Sequence, residues 1–218
     1  MAEIKVAIAD DHKIFRKGVI ISLRHFSNIR FIFEAENGQE LLDMLSSSEE
    51  KPDVILMDLR MPIKDGIITT KFISENYPKI MVIVLTMHED EKFVIHLMEN
   101  GAHGYLLKST EPDEIKKAII EVLQKGYYLN NFVNRILLKK SQSRNKAAPS
   151  LTEEIQISVK EKEVLTYICQ EFTSGEIGEK MGISARTVES IKDRLMERYG
   201  CKNTAGLVFF GVKNHLID

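Results

Sequence analysis

Short apolar runs recur through the first 130 residues and leave few ways for them to fold. IKVAIA (4–9), IRFIFEA (29–35), DVILMD (53–58), IMVIVLT (80–86) and HGYLLK (103–108) are rich in β-branched residues. An unbroken stretch such as VILM wants burial on both faces, as a central strand of a parallel sheet has it. Between the runs, apolar residues fall at helical spacing: Phe15, Val19 and Leu23; Leu41, Leu42 and Leu45; Phe93, Leu97 and Met98; Ile115, Ile119 and Val122. Strands each followed by a helix predict an α/β domain with a five-stranded parallel sheet, doubly wound.

In such a sheet, ligands bind outside the carboxyl ends of the strands. Asp10 and Asp11 follow the first run, Asp58 ends the third, Thr86 ends the fourth and Lys108 ends the fifth. Each acid alone is explained by a helix cap or a turn, where Asp is common. At successive strand ends they share one edge, and clustered carboxylates repel one another unless a cation sits among them. An all-oxygen site with few carboxylates suits Mg2+, and a lysine and a hydroxyl nearby would bind phosphoryl oxygens. Asp58 is then a candidate aspartyl nucleophile toward phosphate. The break that follows it, Pro62 and then Asp65-Gly66, is a turn signal. A phosphatase of the haloacid-dehalogenase kind would need a second Asp two residues beyond the nucleophile; Arg60 stands there and lacks the acid function. The expectation is therefore a protein that modifies itself, and not an enzyme acting on an outside substrate.

Charge divides the chain. Residues 1–130 carry 16 Lys/Arg against 21 Asp/Glu, a net of −5, whereas 131–150 carry five basic side chains and no acid. KKSQSRNKAAPS reads as a linker, giving an expected division into 1–128, a linker over 129–154, and 155–218. The last part shows helical periodicity throughout. Val164, Leu165 and Ile168 mark one helix; TSGEIGEKMGIS supplies a short one; Ser184 is the expected N-cap of a third running to about Arg198. Two helices joined by a Gly-containing turn suggest a helix-turn-helix. With two cysteines, no metal-type Cys or His spacing, no apolar run near the roughly 18 residues of a membrane helix, and no export-signal pattern in MAEIKVAIADDH, a cytoplasmic protein that engages no membrane is expected.

AIADDH, ILMDLRMPIKDG, IVLTM and GYLLKS resemble the receiver domain of two-component response regulators, a flavodoxin-like fold. The resemblance implies that a sensor histidine kinase phosphorylates Asp58. It also implies that Asp10, Asp11, the Asp58 carboxylate and the Arg60 main-chain carbonyl hold Mg2+. Lys108 and Thr86 would contact the phosphoryl group, and Tyr105 would be the aromatic switch that turns inward with Thr86. Ser109 follows the lysine where many receivers have Pro. KEKEVL, EIGEKMGIS, ARTVES and YGCKNTAGLV resemble the LuxR-type helix-turn-helix output domain of NarL/FixJ regulators. That implies a homodimer whose 184–198 helix enters the major groove of promoter DNA.

A helical wheel at 100° per residue puts Val188, Ile191, Leu195 and Tyr199 inward and Arg186, Glu189, Ser190, Asp193, Arg194 and Glu197 outward. Glu189 and Ile191 stand where the family commonly has Lys and His. The expected DNA contacts are Thr187, Glu189 (to a cytosine amino group), Ser190, Lys192, Arg194 (to guanine), Arg198 and Lys202. The acidic outward face sustains an alternative: a phosphorylation-switched protein-interaction module with weak or no DNA binding.

Overall fold

The computed structural model describes residues 3–87, 91–136, 157–214 and 216–217. The chain forms two compact units, Met1–Tyr128 and Leu129–Asp218.

In the first unit, β1 (Ile4–Ala9), β2 (Ile29–Ala35), β3 (Val54–Asp58), β4 (Met81–Thr86) and β5 (Gly104–Leu107) form one parallel sheet in the order β2-β1-β3-β4-β5. Helices α1 (Lys13–Leu23), α2 (Gly38–Ser47), α3 (Gly66–Asn76), α4 (Glu91–Glu99) and α5 (Pro112–Lys125) follow the strands in turn. Strand alternation sorts the core into two layers. Val6, Ile8, Val54, Leu56, Ile83, Leu85 and Leu106 pack with α1 and α5 through Val19, Leu23, Ile115 and Ile119. Ala7, Ala9, Ile55, Met57 and Val82 pack with α2 and α3 through Leu41, Leu45 and Ile73. A bulge in the β1–β2 register, where Val6 pairs with Phe31 but Ala7 with Phe33, sends those two phenylalanines to opposite layers. The order of the strands reverses between β1 and β3, so the switch point of the sheet lies at the ends of those two strands.

In the second unit, residues 131–136 are helical inside the stretch expected to be linker, and the Asn130 side chain accepts from the Val133 N–H at 2.9 Å. The rest of the expected linker, up to residue 154, lies outside the described residues. Four helices follow: α6 (Val159–Cys169), α7 (Ser174–Met181), α8 (Ala185–Tyr199) and α9 (Thr204–Lys213). Each starts on a side-chain cap: Ser158 and Thr173 in full capping boxes with Glu161 and Glu176, then Ser184 and Asn203. Gly182 (φ 65°) ends α7 in the left-handed region. Within α7, a Cβ on Gly178 would lie 2.7 Å from the Ile183 carbonyl oxygen, so the close α7–α8 turn excludes a larger residue there. Val164, Leu165, Ile168, Ile177, Val188, Ile191, Leu195, Leu207 and Val208 are buried. Tyr199 is half-buried and stacks on Phe210, centroids 4.4 Å apart.

Candidate functional site

Strand register assembles the first site. Ile8 pairs with Leu56 across β1 and β3, so Asp10 and Asp58, two residues further along, leave the sheet on the same face. Leu106 shares that core layer and Lys108 lies two residues beyond it. The three side chains therefore meet where the strands end. Lys108 Nζ stands 2.8 Å from Asp58 Oδ2 and 2.7 Å from Asp10 Oδ2, with side-chain exposures of 4%, 6% and 1%. The contact to Asp10 is an ion pair without hydrogen-bond direction, which leaves the buried Asp10 Oδ2 short of a directed donor. The Lys108 ammonium also lies 4.9 Å from the centre of the Phe15 ring.

Asp10, Asp11, His12 and Asp58 each offer a ligand atom within 4.8 Å of the others. The oxygens of the three carboxylates and the under-satisfied Asp10 Oδ2 fit a hard cation of the Mg2+ type. Exposed His12 pairs with Asp11 at 2.7 Å, an interaction a cation would readily replace. Arg60 lines a cleft of about 520 Å3 with Asp11, Met61, Pro62 and Asp65. Burial raises the Asp58 carboxyl above its ordinary range; Lys108 opposes that and Asp10 adds to it. Burial alone would lower Lys108, but its contacts with Asp10 and Asp58 win and its pKa rises.

The turn after β3 is shaped around Asp58. The Leu59 N–H donates to Asp58 Oδ1 at 2.8 Å, and the Gly66 N–H donates to the Leu59 carbonyl at 2.9 Å. A Cβ on Gly66 would sit 1.9 Å from the Asp58 carbonyl oxygen, so only glycine lets α3 start this close. Asp65 caps α3 through the Ile68 N–H.

Thr86 is buried one register step past Leu85, the partner of Asp58, and its carbonyl accepts from the Lys108 N–H at 2.7 Å. Tyr105 pairs with Val84 and is 1% exposed. One supporting residue escapes a reading based on charge at strand ends. Arg16 is 3% exposed on the core face of α1; it donates to the Asp10 carbonyl at 2.5 Å, to Glu34 at 2.9 Å and to Glu36 at 2.9 Å. An arginine in phase with Val19, Ile20 and Leu23 is the signal that would have found it, since a core-facing guanidinium requires acidic or carbonyl partners.

The residues expected to contact DNA all lie in the second unit, but several of them are tied within it. Glu189 is half-exposed, with its carboxylate engaged inside the unit. It accepts a hydrogen bond from the Ser174 hydroxyl on α7 and pairs with Lys192 at 2.5 Å. Burial works against its ionisation, yet Lys192 and Ser174 hold its carboxyl below the ordinary range. Arg198 forks onto Glu161 of the α6 capping box at 3.0 and 3.2 Å. Thr187 is half-buried, with its hydroxyl 2.8 Å from that of Ser184. Ser190, Arg194 and Lys202 are exposed, as are Arg186, Asp193 and Glu197.

Comparison with known proteins agrees with this architecture. The response regulator receiver domain family matches residues 6–120, and the luxR family of bacterial regulatory proteins matches 156–210. Oxygen regulatory protein NreC of Staphylococcus aureus is 33% identical over 217 residues, covering 98% of this chain and 99% of that protein. Among solved structures, RcsB of Salmonella typhimurium is similar at 29% identity and a TM-score of 0.58, over 96% of this chain and 98% of that one. An RcsB–DNA complex is similar at 29% identity and a TM-score of 0.57, with the same coverage. No helix among the described residues is long and apolar enough to cross a membrane. The chain belongs to the response regulators, with a receiver domain followed by a luxR-family helix-turn-helix domain.

Proposed function

We propose that Asp58 accepts a phosphoryl group from a sensor histidine kinase and that this modification controls dimerisation and DNA binding by the helical unit in the cytoplasm. The observation that carries the reading is Lys108 held between Asp58 and Asp10 in a pocket at the switch point of the sheet. Burial makes the Asp58 carboxylate more basic, which favours attack on phosphorus. One of its oxygens is oriented by the Leu59 N–H, and the other faces the lysine. A Mg2+ held by Asp10, Asp11, Asp58 and the Arg60 carbonyl would neutralise charge on donor and acceptor oxygens. As the oxygen–phosphorus bond forms, the bond to the donor nitrogen breaks and Lys108 can move from the carboxylates to a phosphoryl oxygen. The added charge, roughly −1.5 to −2, acts on Thr86 at the end of β4 and on Tyr105 in β5. The chain turns over no outside substrate in this reading. It is a transcription regulator, as the DNA complex of its RcsB neighbour supports.

Phosphoramidate with Mg2+ tests it. Wild-type protein gains one phosphoryl group by intact mass, sediments increasingly as a dimer and binds its promoter fragments more tightly; Asp58→Asn does none of these. Equal labelling of the Asn variant would falsify the assignment. A second reading, a switched protein-interaction module, is favoured by exposed Asp193 and Glu197 on α8. It predicts dimer gain with no mobility shift at the lowest salt.

A further inference from the structure

We infer that Glu189 is an intramolecular brake on the recognition helix: it holds Lys192 in an ion pair that withholds one cation from the DNA phosphates. The inference deepens the DNA-binding reading of the helical unit and rests on it. Both carboxylate oxygens of Glu189 are committed, Oε2 to Lys192 Nζ and Oε1 to the Ser174 hydroxyl. The pair is unequal in exposure: the Glu189 side chain is 46% exposed and that of Lys192 only 15%. A surface lysine ordinarily lays its stem on the protein and keeps its ammonium in water. Here the ammonium is drawn in against its own helix, and Ser174, the first residue of α7, fixes the carboxylate that draws it.

Each phosphate neutralised by a protein cation steepens the salt dependence of binding by about 0.9 on a log–log scale. A lysine that already neutralises Glu189 contributes none of that. Arg198, although exposed, is forked onto Glu161, whereas Arg186 and Arg194 of α8 are exposed and stand in no such fork. Duplex binding by the wild type therefore lacks the share of salt dependence that Lys192 would add. Lys192 becomes a phosphate contact only when Glu189 loses its charge.

The test is a double-mutant cycle on the full-length protein, using wild type, Glu189→Gln, Lys192→Met and the double variant. Fluorescence anisotropy with a labelled mixed-sequence duplex across a salt series reads it, with and without phosphoramidate. Gln keeps the acceptor for Ser174 and nearly the same volume, so the α7–α8 tie survives. Glu189→Gln is expected to bind about five- to tenfold tighter at low salt, with a slope steeper by about 0.9. Lys192→Met is expected to change little in the wild-type background and to abolish the gain in the Gln background. Glu189→Ala, which also drops the Ser174 bond, must show the same dependence on Lys192. If Lys192→Met costs the same in both backgrounds, the gain is mere loss of repulsion and the brake does not exist. If Glu189→Gln binds more weakly, the carboxylate is a contact to the duplex and the brake is again excluded. No binding by any variant at the lowest salt removes the DNA-binding reading, and the brake with it.

Discussion

Both units place an acid beside a lysine, and the two pairs behave differently. In the sheet unit Lys108 lies 2.8 Å from Asp58 and 2.7 Å from Asp10, with all three side chains at most 6% exposed. In the helical unit Lys192 lies 2.5 Å from Glu189, whose side chain is 46% exposed. Distance does not separate them; surroundings do. Two acids share one buried lysine in the first case, so the group is short of positive charge and an incoming cation or phosphoryl oxygen changes its balance. One acid meets one lysine near water in the second, and the charges simply cancel. The first pair stores a demand for a ligand, whereas the second removes a side chain from service.

The sharpest way to break this contrast is Lys108→Met. It leaves Asp10 and Asp58 buried and facing each other, and removing one partner of a buried pair costs about 3–5 kcal/mol. Urea unfolding at neutral pH would show that loss. Mg2+ would restore part of it by binding the folded state alone. Loss without recovery in Mg2+ would mean that the carboxylates do not form a cation site.

Next in size is an acid sensitivity that belongs to the sheet unit. His103 is buried and its ring Nδ1 accepts from the Val82 N–H at 3.1 Å; burial pushes its pKa down to about 4. An unfolded imidazole takes its proton near 6.5. Between those values the unfolded state binds more protons, and stability falls as pH drops through that window. The limit is about 3 kcal/mol, since each tenfold weakening of proton affinity is worth roughly 1.4 kcal/mol. His103→Gln keeps an acceptor for Val82 but cannot titrate, and its acid unfolding limb should be shallower than wild type by that amount. The half-buried Cys169 of the helical unit, pushed up to about 12, stays a neutral thiol throughout this range. Equal acid limbs for wild type and Gln would show that His103 does not drive the acid limb.

What could be read from sequence follows the same division. The strands were legible because each is an apolar run buried on two faces, and their charged ends were legible because a parallel sheet brings strand ends to one edge. Thus Asp10, Asp58 and Lys108 converge, and the observed strands differ from the expected runs only by the first residue at β3 and β4 and by one residue at each end of β5. Helix α3 showed no clear stripe because its buried face is Gly66, Thr69, Thr70 and Ile73, while Ile68 and Phe72 point to water. Arg16 was hidden by its type: a charged residue at a core position looks like an exposed one until its partners are known. The partners of Glu189 were hidden for another reason. A wheel treats a helix as alone, and Glu189 is turned by Ser174, a residue 15 positions away on a neighbouring helix.

The smallest effects test whether the helical unit is held by its caps and not by its surface charges. Ser158 accepts from the Glu161 N–H while Glu161 reaches back to the Ser158 N–H at 2.9 Å and takes the fork from Arg198. Ser158→Ala removes the N-cap and loosens the carboxylate that Arg198 grips, so about 1 kcal/mol of stability should be lost. Lys192→Met removes a half-exposed pair one turn apart and should cost under about 0.5 kcal/mol. Urea unfolding of the two variants, side by side, ranks them. If Lys192→Met proved the more costly, the Glu189–Lys192 pair would be a structural element holding α7 to α8, and the lysine would be withheld from solvent for stability. The expected order instead leaves that pair nearly neutral for folding, so the charge arrangement on α8 is free to be set by what the helix meets.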